Sequence, residues 1–359
     1  MTALLEIDLD AIAANWRALD AMHAGQTAGV VKADAYGLGA THVAPKLLAI
    51  GCRHFFTAHL SEALTIRVLL PGAMLAVLNG ILSGEAAEFS ARNIVPVCGA
   101  LHELAVWRAE ARRRGEVLPV ILHVDTGMAR LGFSGPDLAR LGEDATLLEG
   151  MRVDYVMTHL ACADAPEDPM NARQAAAFAA AARQFPGAKT SFANSSGMFL
   201  APEFGSDLAR PGAALYGIDP SSGGGCKNPM RGVVRLSAPI LQIHEVAPGE
   251  TVGYGGDWTA RRPSRIATLG VGYADGFHRS LGNRATAYFD ATPVPLVGRV
   301  SMDLTTFDIT DLRGLQPGDR LTLIDERHGP DQLAREAGTN GYEILTSLGR
   351  RYQRRYSGA

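Results

Sequence analysis

Gly29-Val30-Val31-Lys32-Ala33-Asp34-Ala35-Tyr36-Gly37-Leu38-Gly39 opens as a short β-branched run and closes as a glycine-rich turn, with a lysine at the junction. The run reads as a buried strand, and the same texture recurs at 54–58, 74–78, 94–98, 120–124, 153–158, 190–193 and 213–217, the first strand being 29–33. Helical patterns lie at 9–22, 60–70, 101–114 and 172–184. Strands alternating with helices imply parallel pairing through right-handed crossovers. Eight such strands predict an α/β fold, a (β/α)8 TIM-type barrel. A doubly wound sheet is the alternative, and no Gly-x-Gly-x-x-Gly opens a helix to favour it.

Past Ser221-Ser222-Gly223-Gly224-Gly225 the texture changes. That stretch reads as a flexible connector; as a phosphate loop it lacks the following Lys-Ser/Thr and helix. Strand-like runs follow at 233–241, 265–271, 286–289, 296–300 and 320–324, punctuated by Pro-Gly turns, with helical material at 331–337 and 342–348. The expectation is a barrel domain over 1–225 and a mostly β domain over 226–359, the first strand segment being free to pair with the latter.

A chain of 359 residues, 47% apolar and 20% charged, suffices for two ordinary cores. Its net charge of −3 offers nothing to nucleic acid or a membrane surface. Cys52, Cys98, Cys162 and Cys226 are far apart without CxxC spacing, which predicts neither a disulfide framework nor a metal site and suits a reducing compartment. The opening Met1-Thr2-Ala3-Leu4-Leu5-Glu6 lacks the basic and apolar regions of a secretory signal, so the expected location is cytoplasmic.

Lys32 stands at the predicted C-terminal end of the first barrel strand, where barrel active sites collect. An amine held in apolar surroundings loses its proton more easily and becomes a usable nucleophile and base. The bland alternative is a lysine extending out of the barrel mouth. Tyr36, Gly37 and Gly39 shift the balance, because a phenol and a glycine-rich turn suit close approach to a phosphate.

Residues 31–39 closely resemble the cofactor-attachment motif of the alanine racemases, and the similarity continues in order along the chain. Matching blocks are Val124-Asp125-Thr126-Gly127-Met128-Ala129-Arg130, Met157-Thr158-His159, Asn194-Ser195-Ser196-Gly197, Ala209-Arg210-Pro211-Gly212, Gly272-Tyr273-Ala274-Asp275-Gly276 and Gly298-Arg299-Val300-Ser301-Met302-Asp303. The resemblance implies a pyridoxal 5'-phosphate enzyme that interconverts L- and D-alanine for peptidoglycan, or a relative acting on serine or other small amino acids. It further implies a homodimer in which Tyr273 and Met302 reach across the interface. Lys32 and Tyr273 would be the two catalytic bases, flanking a planar carbon, since racemisation removes a proton on one face and returns one on the other. Cofactor-binding roles fall to Lys32, Tyr36, His159, Asn194, Ser195, Arg210, Gly212 and Ala213. His159 is also the candidate partner that tunes the tyrosine. Arg210 would face the cofactor's ring nitrogen and keep it unprotonated. Arg130 and the Met302 backbone would meet the substrate carboxylate.

The pattern departs from the family in three places. His123 stands where family members often carry a carbamate-bearing lysine, and the expectation is that His123, or an anion beside it, helps position Arg130. Ser191 replaces a histidine that supports the arginine. Residues 350–356 match the family ending only loosely, so no C-terminal tyrosine is assigned to the phosphate. A cofactor-binding protein without turnover is opposed by Tyr273 and Met302, and a decarboxylase on the related barrel by Arg210 and Tyr273.

Overall fold

A computed structural model describes residues 2–201, 204–221 and 228–358. The chain forms two compact units, one of Ile12–Ala35 with Gly39–Met230, the other of Met1–Ala11, Tyr36–Leu38 and Arg231–Ala359. The connector at 222–225 and the expected boundary between 225 and 226 lie outside the described residues. After β1 (Leu4–Asp8) and the helix Leu9–Met22, the first unit runs through β2 (Gln26–Thr27), β3 (Gly29–Val30), β4 (His54–Thr57), β5 (Met74–Val77), β6 (Val95–Cys98), β7 (Leu118–His123), β8 (Met151–Met157), β9 (Lys189–Ser191) and β10 (Leu208–Ala209).

Strands β3 to β9 pair in sequence order, all parallel, and β10 pairs in parallel with β2. The ring closes through single hydrogen bonds. Arg210 N–H donates to Ala193 O at 2.8 Å, Ala28 N–H to Ala209 O at 2.9 Å, and Val30 N–H to Pro211 O at 3.1 Å. This is a TIM-type barrel, its strands read as continuous apolar runs because helices cover one face and the barrel interior the other. Phe55, Phe56, Leu75, Val97, Ile121 and Val156 are all buried.

Two expectations for the barrel need correction. The first strand stops at Val30, and residues 33–36 enter a left-handed turn. The eighth strand is Leu208–Ala209 rather than 213–217, so Arg210 follows that strand instead of starting it. Ala213–Tyr216 is a short 3-10 helix with all four residues buried. Burial on every side makes a helical turn as uniformly apolar as a strand, and periodicity cannot separate them over four residues.

The second unit is mostly β. It adds β11 (Val234–Val246), β12 (Thr251–Val252), β13 (Trp258–Thr259), β14 (Ser264–Leu269), β15 (Thr286–Phe289), β16 (Thr292–Pro295), β17 (Thr305–Asp308), β18 (Arg320–Ile324) and β19 (Gln353–Ser357). The sheet order is β16-β15-β18-β11-β1-β19, with β14 joining β11 to β17. The long β11 serves three partners, β1 through Val234–Ser237, β18 through Leu236–Pro239 and β14 from Ile240 onward. β1 lies antiparallel to β11 and parallel to β19. The strand expected at 296–300 is absent; Leu296 makes one isolated bridge to Phe307. Gly298, at φ 79°, turns the chain, and its N–H is taken by Asn283 Oδ1 at 2.6 Å. Among the described residues no helix is long and apolar enough to cross a membrane.

One buried pair gives this unit a pH dependence. His328 is almost completely buried, and its ring nitrogens face two acceptors, Leu323 O at 3.1 Å and Glu336 Oε1 at 2.9 Å. Burial alone would lower its pKa, but the hydrogen bond to Glu336 and that carboxylate's charge, aided by the Leu323 carbonyl and Asp325, outweigh it and raise the value above 6.5. A raised folded-state pKa stabilises fully below the unfolded value and is lost as pH climbs through the folded one. The melting temperature should therefore fall by a few degrees as pH rises from near 6.5 into the alkaline range, followed by circular dichroism. Glu336→Gln should flatten that slope; an unchanged slope would remove the pair as its source.

Candidate functional site

In the barrel unit the charged residues named by the sequence gather beyond the C-terminal ends of the strands. Lys32 follows β3, Arg130 lies in the loop after β7, His159 follows β8, and Arg210 follows β10. The two arginines act on the lysine and on the histidines. The Lys32 amine has a lowered pKa, first through burial and then through Arg130, with Glu62 opposing and Arg210 adding to the fall. His159 is held well below the usual histidine range by burial, then by Arg210, Arg130, Lys32 and His123. His123, at the end of β7, is pushed down to about 4 by burial and by Arg210 and Arg130, against Asp125. Both imidazoles are therefore neutral near pH 7, and the cluster's fixed positive charge resides on its arginines.

Arg210 is buried. Its Nη1 donates to Ser191 Oγ at 2.5 Å and its Nη2 to the Thr158 carbonyl at 2.5 Å, and no carboxylate pairs with it among the described residues. Desolvation lowers its pKa only to about 10, so it stays a cation. Ser191 in turn donates to Leu208 O at 2.6 Å. The support expected from a histidine is thus rebuilt with a serine hydroxyl. A buried guanidinium with two neutral acceptors still has N–H groups that need an acceptor.

Lys32 is followed by an unusual backbone. Ala33, Asp34, Ala35 and Tyr36 have φ between 52° and 55°. Each L-residue in that region costs roughly 1–2 kcal/mol, so the turn persists only if it is anchored. Ala33 N–H donates to Glu62 Oε1 at 2.6 Å, and Asp34 Oδ1 accepts from Ala40 N–H at 2.7 Å. The other oxygen of Glu62 accepts from Ala58 N–H at 2.8 Å and His59 N–H at 3.0 Å, in the loop after β4.

Ser195 stands at the N-cap position of the short 3-10 helix Ser196–Phe199, but its side chain makes no capping bond. Its Oγ accepts from Gly212 N–H at 2.9 Å and Ala214 N–H at 3.2 Å, so backbone donors on both sides of Ala213 converge on one hydroxyl. Asn194 has a local task instead: Oδ1 accepts from Gly197 N–H at 2.8 Å, and Nδ2 donates to Leu160 O at 3.4 Å. Asp125 Oδ1 accepts from Gly127, Met128 and Ala129 N–H at 2.9, 2.9 and 3.1 Å, which fixes the loop leading to the exposed Arg130. No hydrogen bond joins Arg130 to His123 among the described residues.

Three named residues belong to the other unit. Tyr36 has its pKa raised by burial and by Tyr342 close by. The adjoining Gly37 carbonyl accepts from Arg354 Nη1 at 2.7 Å, and a Cβ at Gly37 would meet Leu345 O at 2.5 Å. Tyr273 and Met302 lie side by side: Tyr273 N–H donates to Ser301 O and Ala274 N–H to Met302 O, each at 3.0 Å. Glycine is needed at 272 because a Cβ there would strike the Ser301 and Met302 carbonyls. Arg351 ties the two segments, pairing with Asp275 at 2.8 Å and Asp303 at 2.7 Å. Tyr273 is 43% exposed and Met302 54%, high for such side chains.

Sequence reading missed four contributors: Glu62, Tyr342, Arg351 and Gln174. Gln174 is fully buried in the helix Pro169–Ala182. Its Oε1 accepts from Ala161 N–H at 2.8 Å, and its Nε2 donates to His159 O at 2.9 Å and Thr126 Oγ1 at 3.0 Å. Thr126 Oγ1 lies 2.8 Å from Thr158 Oγ1. This network is fully satisfied and fixes the loop that carries His159. Within an Ala-rich helix nothing distinguishes such a glutamine from a surface one.

Comparison with known proteins agrees with this arrangement. The family model "Alanine racemase, N-terminal domain" matches residues 7–220, and "Alanine racemase, C-terminal domain" matches 233–356. The alanine racemase of Acidiphilium cryptum is 56% identical, over 98% of this chain and 97% of its own length. That of Rhodospirillum rubrum is 50% identical, over 99% and 96%. The crystal structure of alanine racemase from Bartonella henselae with covalently bound pyridoxal phosphate superposes with a TM-score of 0.95 at 40% identity, covering 99% of both chains. The chain belongs to the alanine racemase family.

Proposed function

We propose that this chain interconverts L-alanine and D-alanine in the cytoplasm, as a homodimer, with pyridoxal 5'-phosphate held on Lys32, and that it supplies D-alanine for peptidoglycan. The observation that carries the reading is the buried guanidinium of Arg210, which meets only neutral acceptors beside the Lys32 amine. The residues fit such a cofactor. The unmet N–H groups of Arg210 suit the lone pair of a ring nitrogen, and Arg210, always protonated, leaves that nitrogen without a proton. Ser195 Oγ and the backbone donors around Gly212 and Ala213 suit a phosphate; the family resemblance alone adds the Tyr36 hydroxyl to that role. The two neutral histidines add no positive charge to the ring's surroundings.

When bound, the cofactor supplies the electron sink that acidifies the substrate's Cα–H. The protein's own work is proton handling. The Lys32 amine, its proton loosened by burial and two guanidiniums, takes or returns a proton on one face of Cα. Tyr273 of a second copy serves the other face. Its exposure beside Met302 on one rim supports that assignment, since an aromatic hydroxyl and a thioether left in water suit an interface. Arg130 and the Met302 backbone of the second copy receive the substrate carboxylate. His159 and Asn194 complete the cofactor's surroundings, and His123 stands behind Arg130 where a carbamate is common in the family.

Lys32→Ala should abolish both turnover and the visible absorbance of lysine-bound cofactor in the purified protein; a retained band would exclude Lys32 as its anchor. Tyr273→Phe should slow α-proton exchange into deuterated water from one alanine enantiomer by at least about 100-fold more than from the other. Equal losses for both enantiomers would refute a two-base division. Chiral assays across L-alanine, L-serine and larger amino acids establish which side chain the site accepts.

A further inference from the structure

We propose that Glu62 is the positioning residue of Lys32: its carboxylate clamps the first N–H of the left-handed turn onto the neighbouring barrel loop and presents an acidic charge to the lysine amine. Three backbone donors meet this one carboxylate. Ala33 N–H reaches Oε1 at 2.6 Å, while Ala58 and His59 N–H reach Oε2 at 2.8 and 3.0 Å. The last contact is also the capping interaction at the start of the helix Leu60–Arg67, so Glu62 sits on a rigid element. One side chain thereby locks the loop after β3 to the loop after β4.

The lock matters because of what it holds. Ala33 is the first of four non-glycine residues in the left-handed region, and Lys32 is the residue just before them. With Ala33 N–H fixed, the peptide plane after Lys32 is fixed, which restricts the orientation of the Lys32 backbone from which its side chain departs. Asp34 performs the matching task at the far end, through Ala40 N–H at 2.7 Å.

Glu62 acts on charge as well. The groups that act on the Lys32 amine, or on which it acts, are Arg130 from the loop after β7, Arg210 after β10, His159 after β8, and Glu62. Burial and both arginines work against a proton on Lys32; Glu62 alone of these works for it. The balance sets how much neutral amine is available, and thus how Lys32 divides its time between donor and base. The inference rests on Lys32 being the reactive amine of the proposed site. It makes no use of turnover, so a failed racemase assay leaves it standing.

The test is competitive labelling of the full-length chain, freed of carbonyl compounds with hydroxylamine, by acetic anhydride across a pH series. Peptide mass spectrometry reads Lys32 against the exposed Lys189 as internal reference. In Glu62→Gln the Lys32:Lys189 ratio should rise about fivefold at neutral pH and converge on the wild-type ratio at high pH, where Lys32 is neutral in both proteins. Glu62→Asp, which keeps the charge at shorter reach, should give a smaller excess, about twofold. An unchanged ratio overturns the proposal. So does an excess that persists at every pH, which would mean simple exposure, or an Asp variant that matches the Gln variant. If circular dichroism shows Glu62→Gln unfolded, Glu62→Asp decides alone: its excess appears at neutral pH and vanishes at high pH, or the proposal fails.

Discussion

Closure of the barrel is the constraint on which the rest depends. Ala28 and Val30 donate to the carbonyls of Ala209 and Pro211, which lie far along the chain, and Arg210 donates to Ala193 between them. Those bonds set the first and last strands side by side, which places Lys32 after one and Arg210 after the other. The same closure brings the backbone after Pro211 to the Ser195 hydroxyl. Residues that are distant in sequence become one rim because parallel strands all point their C-terminal ends the same way.

Around that rim the electrostatics follow from what is buried with what. Among the described residues no carboxylate pairs with the buried Arg210, and a guanidinium does not surrender its proton. The cost of that charge falls on its neighbours. Burial first, and the guanidiniums of Arg210 and Arg130 after it, drive His123 and His159 neutral and loosen the proton of Lys32. Residues without charge then do the holding: Ser191, the Thr158 carbonyl, and the Gln174–Thr126–Thr158 network.

Much of this was legible in the sequence, and the failures have physical causes. Barrel strands such as Val95–Cys98 stood out because burial on both faces leaves a run of apolar residues bounded by turns. The short Leu208–Ala209 did not, since two residues carry no period, and the apolar Ala213–Tyr216 drew the assignment away. β19 reads as a charged tail, Gln-Arg-Arg-Tyr-Ser, because its side chains remain half in water. The reactive residues lay within blocks of unusual composition, whereas Glu62 and Gln174 work through hydrogen bonds to backbone from other strands. Nothing local marks such partners; they exist only once the ring is closed.

The pairing of β1 has a consequence for the order in which the molecule is completed during synthesis. Leu4–Asp8 is made before the rest of its sheet, since its partners are Val234–Leu236 with Ser237 on one side and Gln353–Ser357 on the other. Until the latter has left the ribosome, one edge of an early-made, buried strand has no neighbour. The barrel unit ends at Met230 and so is ready well before Gln353–Ser357 is made. Translation thus passes through a stage in which a finished barrel carries an unfinished sheet at its start, and a nascent chain halted there presents a strand edge for other chains or a chaperone to capture.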